Sequence, residues 1–398
     1  MSRPLTPGEP LILSAVRTPF GRRNGALRNT RPDELLAHSI VAALARAGVP
    51  GQNVSDVVAG CVSQAGEQGA NIARQAVLLA GLPAELPAHT LNRMCGSSQH
   101  AVHAAAQSIA AGDADFAVGC GVESMSRVPM FLDLTLGQGD FKGFDKLHPR
   151  LTAQHPIPHQ VESAERMGDH WGISRQACDE FAQESHRRAH AARLAGLHQE
   201  IVPIAGVDKA GGAMVLSHDE GVREVIDHEK MASMEPLLRT MDCGVVTAAN
   251  ASQMSDGSAA VVLGSHAAAQ RLGSQARARF LSRVVVGSDP VMQLTGVMPA
   301  TQEALKRAGV SLADIDWIEL NEAFATVALA WAREFRPDMD KLNPWGGAIA
   351  HGHPLGGTGA GLMAKMLSGL ASRGGTLGLQ VMCIGHGMAT ATVIERLN

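Results

Sequence analysis

The residue best placed to do chemistry is Cys95. The string Asn92-Arg93-Met94-Cys95-Gly96-Ser97-Ser98 sets a thiol in a Gly/Ser turn ahead of a helix. Unpaired N–H groups and the helix dipole favour an anion at such an N-terminus. The expectation is therefore a thiolate with a pKa below the roughly 8.5 of a free thiol. The thiolate is the nucleophilic form, so this position activates the residue for covalent catalysis. A lone cysteine is as readily a buried core residue, and the turn alone tips that balance only part of the way.

Three other strings carry candidate chemistry. Gly346-Gly347-Ala348-Ile349-Ala350-His351-Gly352-His353-Pro354-Leu355-Gly356-Gly357-Thr358-Gly359 sets two histidines in a glycine-rich loop stiffened by Pro354. Such a histidine is a candidate general base. His-X-His is also a metal-ligand spacing, but no third ligand is evident nearby, and the phosphate-loop pattern GxxxxGK[ST] is absent. Cys383-Ile384-Gly385-His386-Gly387-Met388 closes an apolar strand, where exposed backbone N–H groups can form an oxyanion hole. Asn321-Glu322-Ala323-Phe324-Ala325 follows a strand at Ile315 to Leu320. Taken singly, this last string is as consistent with ordinary turn chemistry.

The elements that must hold these strings together show an internal repeat. Ala43-Leu44-Ala45-Arg46-Ala47-Gly48-Val49 resembles Ala304-Leu305-Lys306-Arg307-Ala308-Gly309-Val310 at an offset of 261 residues. At the same offset Val54 falls on Ile315, Val57 on Ile318, and Cys95-Gly96-Ser97-Ser98 on Gly356-Gly357-Thr358-Gly359. Each of the latter leads into a small-residue helix, Gln99 to Ala111 and Ala360 to Leu370, and then an apolar strand, Phe116 to Cys120 and Leu377 to Cys383. Alternating strand and helix imply α/β layers with crossover helices. Two such halves about a pseudo-two-fold axis bring residue 95 near the residues around 353 and 383.

The repeat is interrupted between about 122 and 250. That stretch holds a Gly- and Phe-containing segment (Leu136 to Phe144), a His/Pro-rich segment (His148 to His159) and a polar helix from about Ser174 to Gly196. It reads as an insertion that builds a ligand-binding lid, or else serves structure or oligomer formation alone.

Composition bounds the function. The 398 residues are 45% hydrophobic and 18% charged, which fits an ordered globular protein of more than one domain. A net charge of −4 with no basic block argues against nucleic-acid binding. No apolar run reaches the length of a membrane span, and Met1 to Pro10 lacks the apolar core of a secretory signal. The six cysteines (Cys61, Cys95, Cys120, Cys178, Cys243 and Cys383) form no CxxC pair, so neither a disulfide framework nor a zinc site is expected. A reducing cytoplasm is the simplest compartment, and the C-terminus carries no SKL-type address.

Together the four strings resemble the thiolase family in order and spacing over essentially the whole chain. Ala15-Val16-Arg17-Thr18-Pro19-Phe20-Gly21, Gly121-Val122-Glu123-Ser124-Met125-Ser126, Thr247-Ala248-Ala249-Asn250-Ala251-Ser252 and Ser255-Asp256-Gly257-Ser258-Ala259-Ala260 look like further family strings. The resemblance implies the α/β thiolase fold: two related βαβαβαββ halves in an α-β-α-β-α arrangement with an inserted loop domain. The corresponding boundaries are 1–121 for the N-terminal half, 122–250 for the loop domain, 251–271 for the return of the first half and 272–398 for the C-terminal half.

By the same resemblance, Cys95 is the acylated nucleophile, His353 its base, and Cys383 the residue that moves protons at the substrate α-carbon. Asn321 holds an oxyanion-hole water alongside His353, and the Cys95 and Gly385 N–H groups form a second oxyanion hole. Arg223 and Ser252 correspond to coenzyme A contacts. The implied reaction is reversible ping-pong acyl transfer: condensation with acetyl-CoA, or thiolysis of a 3-ketoacyl-CoA by coenzyme A, in fatty-acid or related acyl-CoA metabolism. Acyl-CoA and coenzyme A are the partners, a homodimer or homotetramer the assembly, and no metal or redox cofactor is implied.

The chain departs from the family pattern at His386 (often Gly), Trp345 (usually Asn), His351 (usually apolar) and Gln160 (near a usual Met). These are expected to add polar or bulky groups near the site. Two competing readings are a condensing enzyme that uses an acyl-carrier protein and a non-catalytic acyl-CoA-binding protein. The second cysteine argues against the first, and the intact Cys95, His353, Cys383 and Asn321 against the second.

Overall fold

The computed structural model describes residues 3–135, 143–144 and 146–397. The segment Leu136 to Phe144 therefore lies almost wholly outside the described residues. Twelve strands are formed among the described residues: β1 (Pro10–Arg17), β2 (Gly21–Arg22), β3 (Asp56–Gly60), β4 (Ala88–Leu91), β5 (Phe116–Ser124), β6 (Ile204–Val207), β7 (Ala213–Leu216), β8 (Ser255–Ser265), β9 (Ala278–Gly287), β10 (Trp317–Leu320), β11 (Leu377–Ile384) and β12 (Met388–Arg396).

The repeat is visible in these elements. β3 and β10 begin 261 residues apart, and so do β5 and β11. Each half makes its own sheet, β1-β8-β5-β3-β4 in the first and β9-β12-β11-β10 in the second. Within each, the crossover-connected strands are parallel (β3 with β4 and β5, β10 with β11), and the late strand, β8 or β12, is inserted antiparallel. The two sheets join edge to edge through only Leu11↔Arg279 and Ile12↔Ala278 of β1 and β9. The repeat fails at β4, whose counterpart position in the second half falls on the helical turn Ala348–His351.

Alternation along the strands sorts the layers. Val118, Cys120 and Val122 of β5 and Ala260 and Val262 of β8 face the helices Pro32–Ala47 and Ile72–Leu79. Ala117, Ala259, Val261 and Leu263 face the opposite way, onto the helices Ser97–Ala111 and Leu355–Arg373. Those two helices also meet the second sheet. Gln99 Nε2 and His103 Nε2 each lie 2.7 Å from Thr392 Oγ1, and Gln380 Nε2 donates to Gly359 O at 2.6 Å. The far face of that sheet (Leu379, Val381, Ala391, Val393) packs on the helices Val297–Ala308 and Ala325–Phe335. The result is helix, sheet, paired central helices, sheet, helix.

The central pair can sit so close because glycines line its contacts. A Cβ on Gly356 would strike Val122 O and Cys61 Cα, so β5 backbone and helix start touch directly. Between Ser124 and Ser255 the described residues contribute no strand to the large sheet. It supplies the helices Gln160–Trp171 and Arg175–Leu194, the β6–β7 hairpin and shorter turns. Ser174 caps the second of these helices, its hydroxyl accepting from Ala177 N at 3.2 Å.

Candidate active site

Cys95 lies one residue before the N-cap Gly96 of the helix Ser97–Ala111. Met94, with φ 46°, adopts the left-handed conformation that turns the chain sharply into that helix. Cys95 is 5% exposed and packs with Met382, Ile384 and Leu362. Three N–H groups near its sulfur favour the thiolate: that of Cys95 itself, that of Gly385 just past β11, and the side-chain amide of Gln160. The thiol does not have the depressed pKa expected from its place near a helix start. Burial pushes it up to about 11, helped by the buried carboxylate of Glu123, and the three donors offset this only in part. Desolvation wins because the helix end faces packed apolar side chains instead of water.

His353, the candidate base, lines the same cavity as this thiol. Gly352, at φ 99°, leads the chain to His353, whose backbone N–H is held by Gln253 O at 3.0 Å. His353 Nδ1 lies 2.6 Å from Thr358 Oγ1, while Thr358 spends its own proton on Pro354 O at 2.9 Å. Thr358 therefore accepts, Nδ1 carries the proton, and Nε2 is the free base. Asn321 Nδ2 sits 3.4 Å from Nε2, the arrangement of a donor facing an unprotonated nitrogen. Burial lowers the His353 pKa to about 4, so the ring is neutral at physiological pH.

Asn321 follows β10 and connects the two catalytic candidates from the C-terminal half. Its Nδ2 is 3.9 Å from Cys383 Sγ as well as 3.4 Å from His353 Nε2. Its Oδ1 is buried without a partner. An orphaned buried acceptor costs about 1–3 kcal/mol, which marks a position completed by something other than the chain. Cys383 is fully buried, and burial followed by the nearby Cys95 raises its pKa to about 12.

Cys95, His353, Gln160 and Ser252 line one cavity of about 360 Å³ with apolar walls that include Met125, Phe324 and Leu355. Arg223 is not on this cavity. It lines a smaller one of about 40 Å³ with Lys230 and His186, and the two share Ala248 and Gln253. A third, of about 130 Å³, also reaches Cys95, between Met94, Leu134, Gln160 and His386.

Two of the four departures are not at the site. Trp345 is 2% exposed and stacks edge-on with Trp317 at 4.9 Å, in the core. His351 turns away from His353: its Nδ1 faces Gly352 O at 2.8 Å and its Nε2 faces Lys365 Nζ at 3.3 Å. The two rings thus engage different partners. The expectation that both add bulk near the site fails because the turn of helix between them sends successive side chains in different directions. Gln160 and His386 do line the cavities beside Cys95.

Three supporting residues were not among the candidates read from the sequence. Thr358 fixes the His353 tautomer. Glu123 accepts from Val62 N, Ser63 N, Gln68 Nε2 and Gly356 N, tying the β3 end, β5 and the start of the Leu355–Arg373 helix together. Gln293 donates to Pro158 O and Ser163 Oγ and accepts from His386 N. A threonine five residues beyond a candidate histidine was the one local clue. The other two act across contacts of 55 to 233 residues in sequence.

Comparison with known proteins shows the family. Residues 11–267 match the family described as thiolase, N-terminal domain, and residues 274–396 the one described as thiolase, C-terminal domain. The chain is 42% identical over 396 residues to a steroid 3-ketoacyl-CoA thiolase of Mycobacterium tuberculosis, covering 98% of this chain and 94% of that protein. It is 41% identical over 393 residues to a 3-ketoacyl-CoA thiolase of Aeromonas hydrophila, covering 97% and 99%. Among solved structures, the human mitochondrial 3-ketoacyl-CoA thiolase superposes with a TM-score of 0.89 at 34% identity, covering 98% of this chain and all of that one (100%).

Proposed function

The chain belongs to the thiolase family, and from that premise we propose that it is an acyltransferase acting through Cys95 on coenzyme A thioesters. One observation carries the assignment of residues. A buried thiol just ahead of a helix shares a cavity with a neutral histidine, and that histidine is linked through Asn321 to a second buried thiol.

His353 Nε2 takes the Cys95 proton as the sulfur attacks the thioester carbonyl. A carbon–sulfur bond forms, the bond to coenzyme A breaks, and the departing thiolate recovers the proton from His353. In condensation, Cys383 gives up its own proton and its thiolate removes an α-proton from a bound acetyl thioester. The carbanion attacks the acyl carbon, a carbon–carbon bond forms, and Cys95 leaves as a thiolate that takes up the proton Cys383 released. Thiolysis runs the same steps backwards, with the Cys383 thiol protonating the α-carbon.

Negative charge appears on two different thioester oxygens along this path. The N–H groups of Cys95 and Gly385 serve one of them, and His353 with a water held by Asn321 serves the other. No step changes oxidation state, so we assign no cofactor. Ser252, on the cavity wall, and Arg223, on the smaller cavity that shares Ala248 and Gln253 with it, fit contacts to the coenzyme A portion, the guanidinium meeting its phosphates. We further propose a cytoplasmic homodimer or homotetramer working in fatty-acid or related acyl-CoA metabolism.

The test is direct. Intact protein incubated with acetyl-CoA is expected to gain one acetyl group, mapped to Cys95 by mass spectrometry of its peptides. The Cys95→Ala variant should fold and gain none. An unmodified Cys95 in the wild-type protein would defeat the proposal.

A further inference from the structure

We propose that Gln160 is a further catalytic residue: its side-chain amide is the third donor on the Cys95 sulfur and stabilises the thiolate together with the Cys95 and Gly385 N–H groups. This rests on the reading of Cys95 as nucleophile, and it concerns a position where the chain departs from its family.

The amide is built into place. Gln160 opens the helix Gln160–Trp171, whose first turn is capped by His159 Nδ1 accepting from Val161 N at 3.2 Å. Residue 385 has no side chain, and a Cβ there would run into Gln160 Nε2 and Met94 Sδ. The space left by that glycine is the space the amide occupies. Gln160 lines both cavities that meet at Cys95.

Gln293 then locks the register between the two elements. It is fully buried, with φ 31°. Its Nε2 donates to Pro158 O at 2.8 Å and Ser163 Oγ at 3.1 Å, and its Oε1 accepts from His386 N at 2.7 Å. One side chain thus ties the start of the Gln160 helix to the turn that carries Gly385. Without that tie the helix and the turn come from segments more than two hundred residues apart.

An amide N–H on a sulfur stabilises the charged form over the neutral one. The other titratable groups facing Cys95 do not supply this. Glu123 is a buried carboxylate and opposes the thiolate, Cys383 is a second thiol, and burial keeps His353 and lowers His386 toward the neutral form.

The experiment is iodoacetamide alkylation of the full-length protein, read at Cys95 by mass spectrometry across the neutral and alkaline range. Gln160→Met keeps the length of the side chain and removes the donor. The midpoint of alkylation should move up by about one pH unit, with about tenfold slower alkylation near neutrality. Gln160→Glu keeps the shape and replaces the donor with a carboxylate, so its midpoint should rise further. A purely structural role would lower the melting temperature and leave the midpoint where it is. An unchanged midpoint in either folded variant overturns the proposal. Because alkylation needs no thioester substrate, this result is independent of whether wild-type Cys95 accepts an acetyl group.

Discussion

His353 Nδ1 stands 2.6 Å from Thr358 Oγ1, and Thr358 gives its own proton to Pro354 O. That pair decides which ring nitrogen is left unprotonated. A histidine with its proton on Nε2 would present a donor to Cys95 and could not deprotonate it.

Thr358→Val removes the acceptor and keeps the shape. The buried Nδ1–H then loses its partner, at a cost of about 1–3 kcal/mol. Acylation of Cys95 by acetyl-CoA should slow about tenfold or more, and Thr358→Ser should restore most of it. Single-turnover acylation followed by mass spectrometry measures both. Full activity in the valine variant would show that the tautomer is held elsewhere.

The pH dependence follows from burial. His353 stays neutral down to about 4, and the Cys95 thiol keeps its proton up to about 11. Base-assisted acylation should therefore be nearly flat across the neutral range and fall on the acid side as His353 takes up a proton. In His353→Ala the rate should climb steadily with pH, because only free hydroxide generates the thiolate. A flat profile in that variant would remove His353 from the role of base.

Acid should also weaken the fold. His353, His100 and His186 each have pKa values lowered to about 4 by burial, below the roughly 6.5 of an unfolded chain. The unfolded state binds these protons first, so stability is fully present above about 6.5 and is lost as pH falls toward 4. Urea midpoints measured across that window should decline on acidification and level off below it. A midpoint that rises on acidification would contradict the neutral buried state of these rings.

Cys383→Ala should separate the half-reactions. Acylation of Cys95 proceeds near the wild-type rate, while condensation or thiolysis falls by about 100-fold or more, the usual worth of a positioned general acid or base. Comparing acetyl-adduct formation with 3-ketoacyl-CoA turnover checks this. Equal loss in both would assign Cys383 to positioning Cys95.

Gly356→Ala tests the central layer. The new Cβ meets backbone, Val122 O and Cys61 Cα, so nothing flexible can yield. We expect destabilisation of about 1–3 kcal/mol. Catalysis should fall too, because Gly356 N is one of the groups Glu123 holds. Thermal melting and turnover measured together would show it, and a neutral outcome would mean the layers part more easily than they are packed.

The sequence by itself determined the ingredients. The motif strings name Cys95, His353, Cys383 and Asn321, and the 261-residue repeat places β3 against β10 and β5 against β11 as equivalents, because turn glycines and hydrophobic periodicity are local signals. It also marked Gln160 and His386 as departures from the family. Tertiary structure decided what these groups do. It reversed the expected direction of the Cys95 pKa, since desolvation depends on which side chains cover the turn. It fixed the His353 tautomer through Thr358, sent His351 and Trp345 into the core, and set the Gln160 amide against Gly385, with Gln293 tying the two segments. Each of these is set by burial or by a contact across distant segments, and neither quantity is written in the spacing of residues along the chain.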